Sequence, residues 1–246
     1  MIAGVLGAAA FALVSLVLGV GLLLMWRRTR KIPELLIGLT FLFEGVLSNT
    51  CNVLERFHAR FPPEWWGPIH MGSVVSSCAA AICCAIAAWR IFRPKRAWAR
   101  ALTAFCIVLL AAYTLDSALP RPGEPGPRNL TWWWIGIIPR AGAHAWMGVE
   151  AFLYQRMMRR RLRLGLGDPV VANRMWLWSC AGAATSILWL GVGVARTVGG
   201  AGGLQQPATL LFIAVLGLIT SACNWLVFQP PRAYLAMIER RAAEAA

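Results

Sequence analysis

The chain has 246 residues, of which 59% are hydrophobic and 14% charged, with a formal net charge of +14. Soluble domains carry about 25% charged residues, so this composition excludes an ordinary water-soluble fold. Seven long apolar stretches take up most of the length and leave no room for a separate kinase, ATPase or output domain. Roughly 20 mostly apolar residues cross the hydrocarbon layer as a helix, and the stretches fall at residues 3–26, 33–55, 68–92, 101–119, 132–155, 175–197 and 207–229. The expected fold is therefore all-α: one integral membrane domain of seven transmembrane helices over residues 1–229, followed by a short tail over 230–246.

The first stretch has no basic residue before it and exceeds the 7–15 residues of a typical signal-peptide core, so it reads as a helix that stays. Arg27, Arg28, Arg30 and Lys31 follow it. After the second stretch comes RFHARFPPEWWG at 56–67. The third ends with Arg90 and is followed by Arg93, Lys95, Arg96 and Arg100. The gap at 120–131 is built of Pro and Gly, with Arg121, Glu124 and Arg128, and reads as an irregular connector. The gap after the fifth stretch, 156–174, alternates arginines with Met and Leu, as would a helix extended beyond the bilayer. Altogether 18 of the 24 basic residues fall in alternate gaps or in the tail. Basic short loops stay in the cytoplasm, which puts the N-terminus outside, the C-terminus inside, and the inner loops against anionic lipid. The charge is thus a topology signal, and no nucleic-acid partner is expected. Trp65, Trp66, Trp132, Trp133 and Trp134 lie at the expected outer boundary, as an interfacial aromatic belt.

Polar residues inside spans are costly and face the bundle interior. In the second span, Glu44, Ser48, Cys51, Asn52 and Glu55 recur at helical spacing and form one stripe. Asn49 lies off it, toward a neighbour. The third span places His70, Ser73 and Ser77 on one face, and the fourth Tyr113 and Asp116. In the fifth, Arg140 and His144 are four residues apart beside Pro139, with Glu150 deeper. Arg196 ends the sixth, and Thr220 and Asn224 share a face in the seventh. Glu44, Ser48, Asn52, Glu55, His70, Asp116, Arg140 and His144 would line a ligand site in the outer half of the bundle, closed below by apolar layers. Two other arrangements use the same residues. Interhelical pairs such as Arg140 with Glu55 or Asp116 would make the polar set structural glue only. Alternatively, Glu44 or Glu150 would carry a proton in a small secondary transporter.

No cofactor is expected. Lys31 and Lys95 are the only lysines and lie between spans, which excludes a covalent retinal. His58, His70 and His144 do not pair at matched depth, which argues against haem. The seven cysteines have no metal spacing and read as small packing residues. No nucleophile–base spacing marks an enzyme. A short echo relates GVLSNTCNVL at 45–54 to GLITSACNWL at 217–226.

The segments RRTRKIPELLIGL at 27–39 and F-x-P-P-x-x-Y-L-x-x-I-x-x-R at 228–241 resemble a group of seven-span membrane proteins from bacteria with GC-rich genomes. The resemblance implies a multi-pass protein of the bacterial inner membrane and no particular activity. In the tail, Tyr234, Leu235 and Ile238 share one face, as in a short amphipathic helix on the inner leaflet. Taken together, these features lead to the expectation of a receptor-like protein that binds a small ligand and signals to a cytoplasmic partner.

Overall fold

In a bilayer the backbone has no water to bond, so a spanning chain satisfies itself as helix. The computed structural model describes residues 2–57, 60–119 and 129–244, and every regular element in it is helical. His58, and Arg121, Glu124 and Arg128 of the Pro/Gly connector, lie outside the described residues. The helices are α1 (Ile2–Thr29), α2 (Ile32–Thr40), α3 (Asn49–Arg56), α4 (Trp66–Phe92), α5 (Ala97–Ala118), α6 (Leu130–Leu162), α7 (Pro169–Gly199), α8 (Pro207–Phe228) and α9 (Arg232–Glu244). Between α2 and α3 the chain is π-helical over Phe41–Ser48, so that 32–56 form one continuous rod.

Local chemistry sets the ends. Pro residues open α2, α7 and α8, where the missing N–H costs nothing. Asn129 caps α6 by accepting from Trp132 N at 3.1 Å, and Asp168 caps α7 by accepting from Val170 N at 2.7 Å. Gly165, at φ +70°, makes the left-handed turn between α6 and α7.

Among the described residues, six helices are long and apolar enough to cross a membrane: α1, the α2–α3 rod, α4, α5, α7 and α8. The outer faces agree, since Leu13, Phe105, Val108, Leu115 and Val194 are all more than half exposed. In water such a surface would aggregate; in lipid it is solvated. The fifth expected span, α6, is the long helix that does not reach this apolarity. Its polar residues explain why. Trp133, Ile137, Arg140, His144, Met147, Ala151 and Gln155 are buried at helical spacing, so its charges face neighbours. At about 1.5 Å per residue, its 33 residues run about 50 Å and continue through the arginine-rich end Arg159–Arg161. The expected extension of this helix is thus present.

Packing follows a ring. The order around it is α1, the rod, α4, α6, α7, α8 and back to α1, while α5 packs outside against α4 and α6. The tightest seam is α6 on α7. A Cβ at Gly182 would come within 2.8 Å of Gly148 Cα and of His144 O, so two glycines let these backbones touch, as small residues do in membrane bundles. Consecutive helices reverse direction through short connections, which brings Arg27–Lys31, Arg93–Arg96, Arg159–Arg163 and the tail to one end. There, Leu18, Leu22 and Phe41 are buried with Phe228 packed on them. Phe41–Phe228, Trp178–Phe228 and Phe92–Trp178 ring contacts at 5.7, 6.2 and 6.1 Å carry the seal across the ring. The tail is helical, with Tyr234, Leu235 and Ile238 half-buried, and α9 packs on α7. Asn173 Nδ2 on α7 donates to Tyr234 Oη at 2.8 Å.

Candidate functional site

Away from the aromatic seal, the ring encloses a cavity of about 440 Å³, within the range of small-molecule sites. All six ring helices line it, and Tyr113 reaches in from α5. Its walls run from Gly7 on α1, Arg56, Trp66 and Arg196 at the end opposite the seal to Glu44, Thr185 and Thr220 at the floor. A second, small cavity of about 60 Å³ shares Phe11, Glu44, Thr185 and Thr220 with the first and continues to His144 and Asn224. Glu44 therefore stands between the two.

Six of the eight expected site residues line the main cavity: Glu44, Ser48, Asn52, Glu55, His70 and Arg140. Asp116 and His144 do not. Asp116 is buried on α5, where Tyr113, one turn away, takes the cavity-facing position. His144 Nδ1 lies 2.9 Å from Arg140 O and borders the small cavity only. It is held as a hydrogen-bonding core histidine.

The stripe on the rod is local in origin but not purely α-helical. The π-helical stretch carries Glu44 and Ser48, and the α-helical one Asn52 and Glu55. A π-turn widens the helix by almost one residue per turn, a feature frequent at functional sites. Here it coincides with the closest approach of α1, because a Cβ at Gly45 would overlap Ser15. Asn49 leaves the stripe, as expected, and donates to Ala8 O on α1 at 2.8 Å. Asn52 Nδ2 donates to Ser48 Oγ at 3.3 Å, and Ser73 Oγ on α4 donates to Asn52 Oδ1 at 3.0 Å. His70 Nδ1 meets Glu55 Oε1 at 3.0 Å. One wall of the cavity is thus a connected polar network between the rod and α4.

Arg140 is the unusual group. It is 3% exposed, yet neither of the ion pairs formed among the described residues, His70–Glu55 and Arg93–Glu150, includes it. Its guanidinium stacks on the rings of Tyr113 and Trp189, at 4.6 and 5.0 Å from their centroids. One terminal nitrogen donates to Cys78 Sγ at 3.2 Å, a weak acceptor. Buried Arg140 Nε has no hydrogen-bond partner, and Trp189 Nε1 and Glu44 Oε2, although their side chains lie close enough to interact, have none at full hydrogen-bond geometry. Tyr113 can lie there because Gly136 on α6 is bare; a Cβ would come within 2.7 Å of the ring. The pairs suggested for Arg140, with Glu55 or Asp116, are not the ones formed.

The tryptophan belt is also modified. Trp66 and Trp133 line the cavity, and Arg196 stacks on Trp133 at 4.8 Å. Trp134 Nε1 donates to Thr197 Oγ1 at 3.2 Å. Only Trp65, 58% exposed, has the surface position expected of a belt residue. Trp189 was missed as a site residue. Its signal was available, since an indole in the middle of an apolar span is far from any interface that would attract it.

Glu150 lies elsewhere, near the sealed end. It accepts from Arg93 Nε at 2.8 Å and from Trp146 Nε1 at 3.3 Å. The hydrogen bond to Glu150, and then its charge, raise the Arg93 pKa above its ordinary value. Arg93→Ala leaves this carboxylate, 7% exposed beside a 36% exposed arginine, without its cation. The expected loss is about 1–3 kcal/mol after allowing for solvent near Arg93. It reads out as a lower melting temperature in detergent, restored by adding Glu150→Leu.

Among the described residues no three His, Cys, Asp or Glu side chains come together as a metal site. No family model matches this chain, and no curated protein or solved structure matches it significantly.

Proposed function

We propose that this chain is a receptor-like sensory protein that crosses the membrane seven times, with the N-terminus outside and the C-terminus in the cytoplasm. It binds a small ligand in the cavity, which opens outward, and passes a helix shift to a cytoplasmic partner. The observation that carries the reading is the 440 Å³ space lined by the polar stripe and a buried arginine. In this reading α6 is the seventh crossing, permitted because its charges face protein rather than lipid. The sidedness rests on the gathering of arginines at the sealed end, and the bacterial inner membrane on the resemblance of the two terminal segments. A mechanical link supports the output. α7 contributes Thr185, Trp189 and Arg196 to the cavity, and Asn173 near its other end holds α9 through Tyr234. A ligand that moves α7 moves α9 with it.

The test is a thermal-shift panel of chemically diverse small metabolites on the purified full-length protein. At least one compound should raise the melting temperature in wild type and fail to do so in Arg140→Ala. If no compound acts, the receptor reading is wrong.

One observation favours a second reading. Glu44 borders both cavities, so a polar route continues past it toward Asn224 before meeting the aromatic seal. A proton-coupled transporter would use such a carboxylate. Uptake into proteoliposomes driven by a pH gradient supports transport and defeats the sensor. Glu150 contributes less to that reading, since it is engaged by Arg93.

A further inference from the structure

We infer that the cavity selects a zwitterion of the α-amino-acid type, with its carboxylate at Arg140 and its ammonium at Glu44; this rests on the cavity being a ligand site. Five buried polar atoms with no partner at hydrogen-bond distance belong to residues that line it: Arg140 Nε, Trp189 Nε1, Trp133 Nε1, His70 Nε2 and Glu44 Oε2. Around Arg140, Nε and Trp189 Nε1 are donors and Glu44 Oε2 is an acceptor. The donors adjoin one another, because the guanidinium stacks on the Trp189 ring. A planar carboxylate is the natural acceptor for a guanidinium edge. The acceptor, on the π-helical segment with Ser48 one turn away, lies close to the Trp189 indole and within reach of the Arg140 charge.

The two charged side chains form no ion pair with each other, although both are buried and line one cavity. Each orphaned group carries a desolvation cost that only a partner removes. A simple anion answers Arg140 but adds negative charge near Glu44. A simple amine does the reverse. A ligand with both charged groups on one carbon satisfies both side chains and leaves the cavity electrically balanced. The side of the cavity away from the polar network, where Phe11, Leu188 and Ile213 lie, is apolar. That side suits an aliphatic or aromatic side chain, whereas Glu55, His70 and Arg196 lie on other parts of the wall.

The experiment measures binding of each standard L-amino acid to the full chain in lipid nanodiscs by calorimetry. The tightest binder is then compared with its deaminated and decarboxylated analogues, each of which keeps the side chain and one charge. The expected result is an apolar amino acid that binds at least about 10-fold tighter than either analogue, the scale of one lost charge-assisted hydrogen bond. Arg140→Gln and Glu44→Gln should each weaken it by about 10–100-fold. Should either variant fail to fold, Leu188→Trp serves in its place, since it fills the cavity, keeps both charges and is expected to abolish binding. A deaminated analogue that binds as tightly as its parent overturns the zwitterion assignment and leaves an anion site. So does a hit from the metabolite panel when no amino acid binds. If neither panel yields a ligand, the site itself is refuted.

Discussion

Arg140→Met yields a folded protein whose resting stability lies within about 1 kcal/mol of wild type, or above it, while ligand-induced stabilisation disappears. The expectation follows from what surrounds the side chain. A buried charge is expensive, and replacing it with an apolar group of similar shape is often neutral or stabilising. Arg140 recovers part of that cost from the Tyr113 and Trp189 rings, a contribution of about 1–4 kcal/mol for two cation–π contacts. A methionine thioether keeps favourable contact with the same rings. No ion pair is broken by the change, because Arg140 belongs to neither of the ion pairs among the described residues. Stability without binding is the signature of a functional residue that the fold tolerates rather than needs. Unfolding curves in detergent with and without ligand decide it. A loss of more than about 3 kcal/mol, the cost of breaking a buried pair, would identify Arg140 as structural glue and remove the main support for a ligand site.

The second large effect belongs to Gly45. Gly45→Ala should destabilise the protein by about 1–3 kcal/mol, the range for overpacking a filled core, and should weaken ligand binding as well. A Cβ there overlaps Ser15 on α1, so α1 and the rod must separate, and the π-helical segment that holds Glu44 and Ser48 moves. Adding Ser15→Gly restores the space, and the double variant should regain most of the loss, with a coupling within about 0.5–3 kcal/mol. Additive behaviour in the double-mutant cycle would show that the seam is not tight at this point. The same pair tests the role of the π-helix. If the segment relaxes to a regular α-helix when α1 is displaced, binding falls even in detergent conditions that keep the bundle folded.

Much of the architecture was legible in order along the chain. Apolar runs of span length marked the long helices, with ends up to seven residues short where α6 and α7 run past the apolar stretch, and the second span's polar stripe named four of the cavity's residues, from Glu44 to Glu55. Periodicity served well there because one helix supplies the whole pattern. It failed where the answer depended on a neighbour. Asp116 and Tyr113 share a face, yet only Tyr113 enters the cavity, and Gly136 on another helix decides that. His144 shares a face with Arg140, but the floor at Thr185 and Thr220, whose hydroxyl oxygens lie 3.4 Å apart, cuts it off from the main cavity. Trp66 and Trp133 look like belt residues by position, and the ring turns them inward. The echo between 45–54 and 217–226 finds no matching backbone, since the first segment begins in the π-helix and α8 is regular throughout.

Composition, run length and the placement of arginines by themselves determined a membrane-embedded helical protein, because the cost of exposing backbone and charge to lipid acts on each segment separately. Which polar groups meet, which remain without a partner, and whether space is left between them were decided only by the tertiary structure. Those outcomes depend on how six helices close into a ring, on glycines that let particular backbones touch, and on one widened helical turn. None of these is a property of any single stretch of sequence.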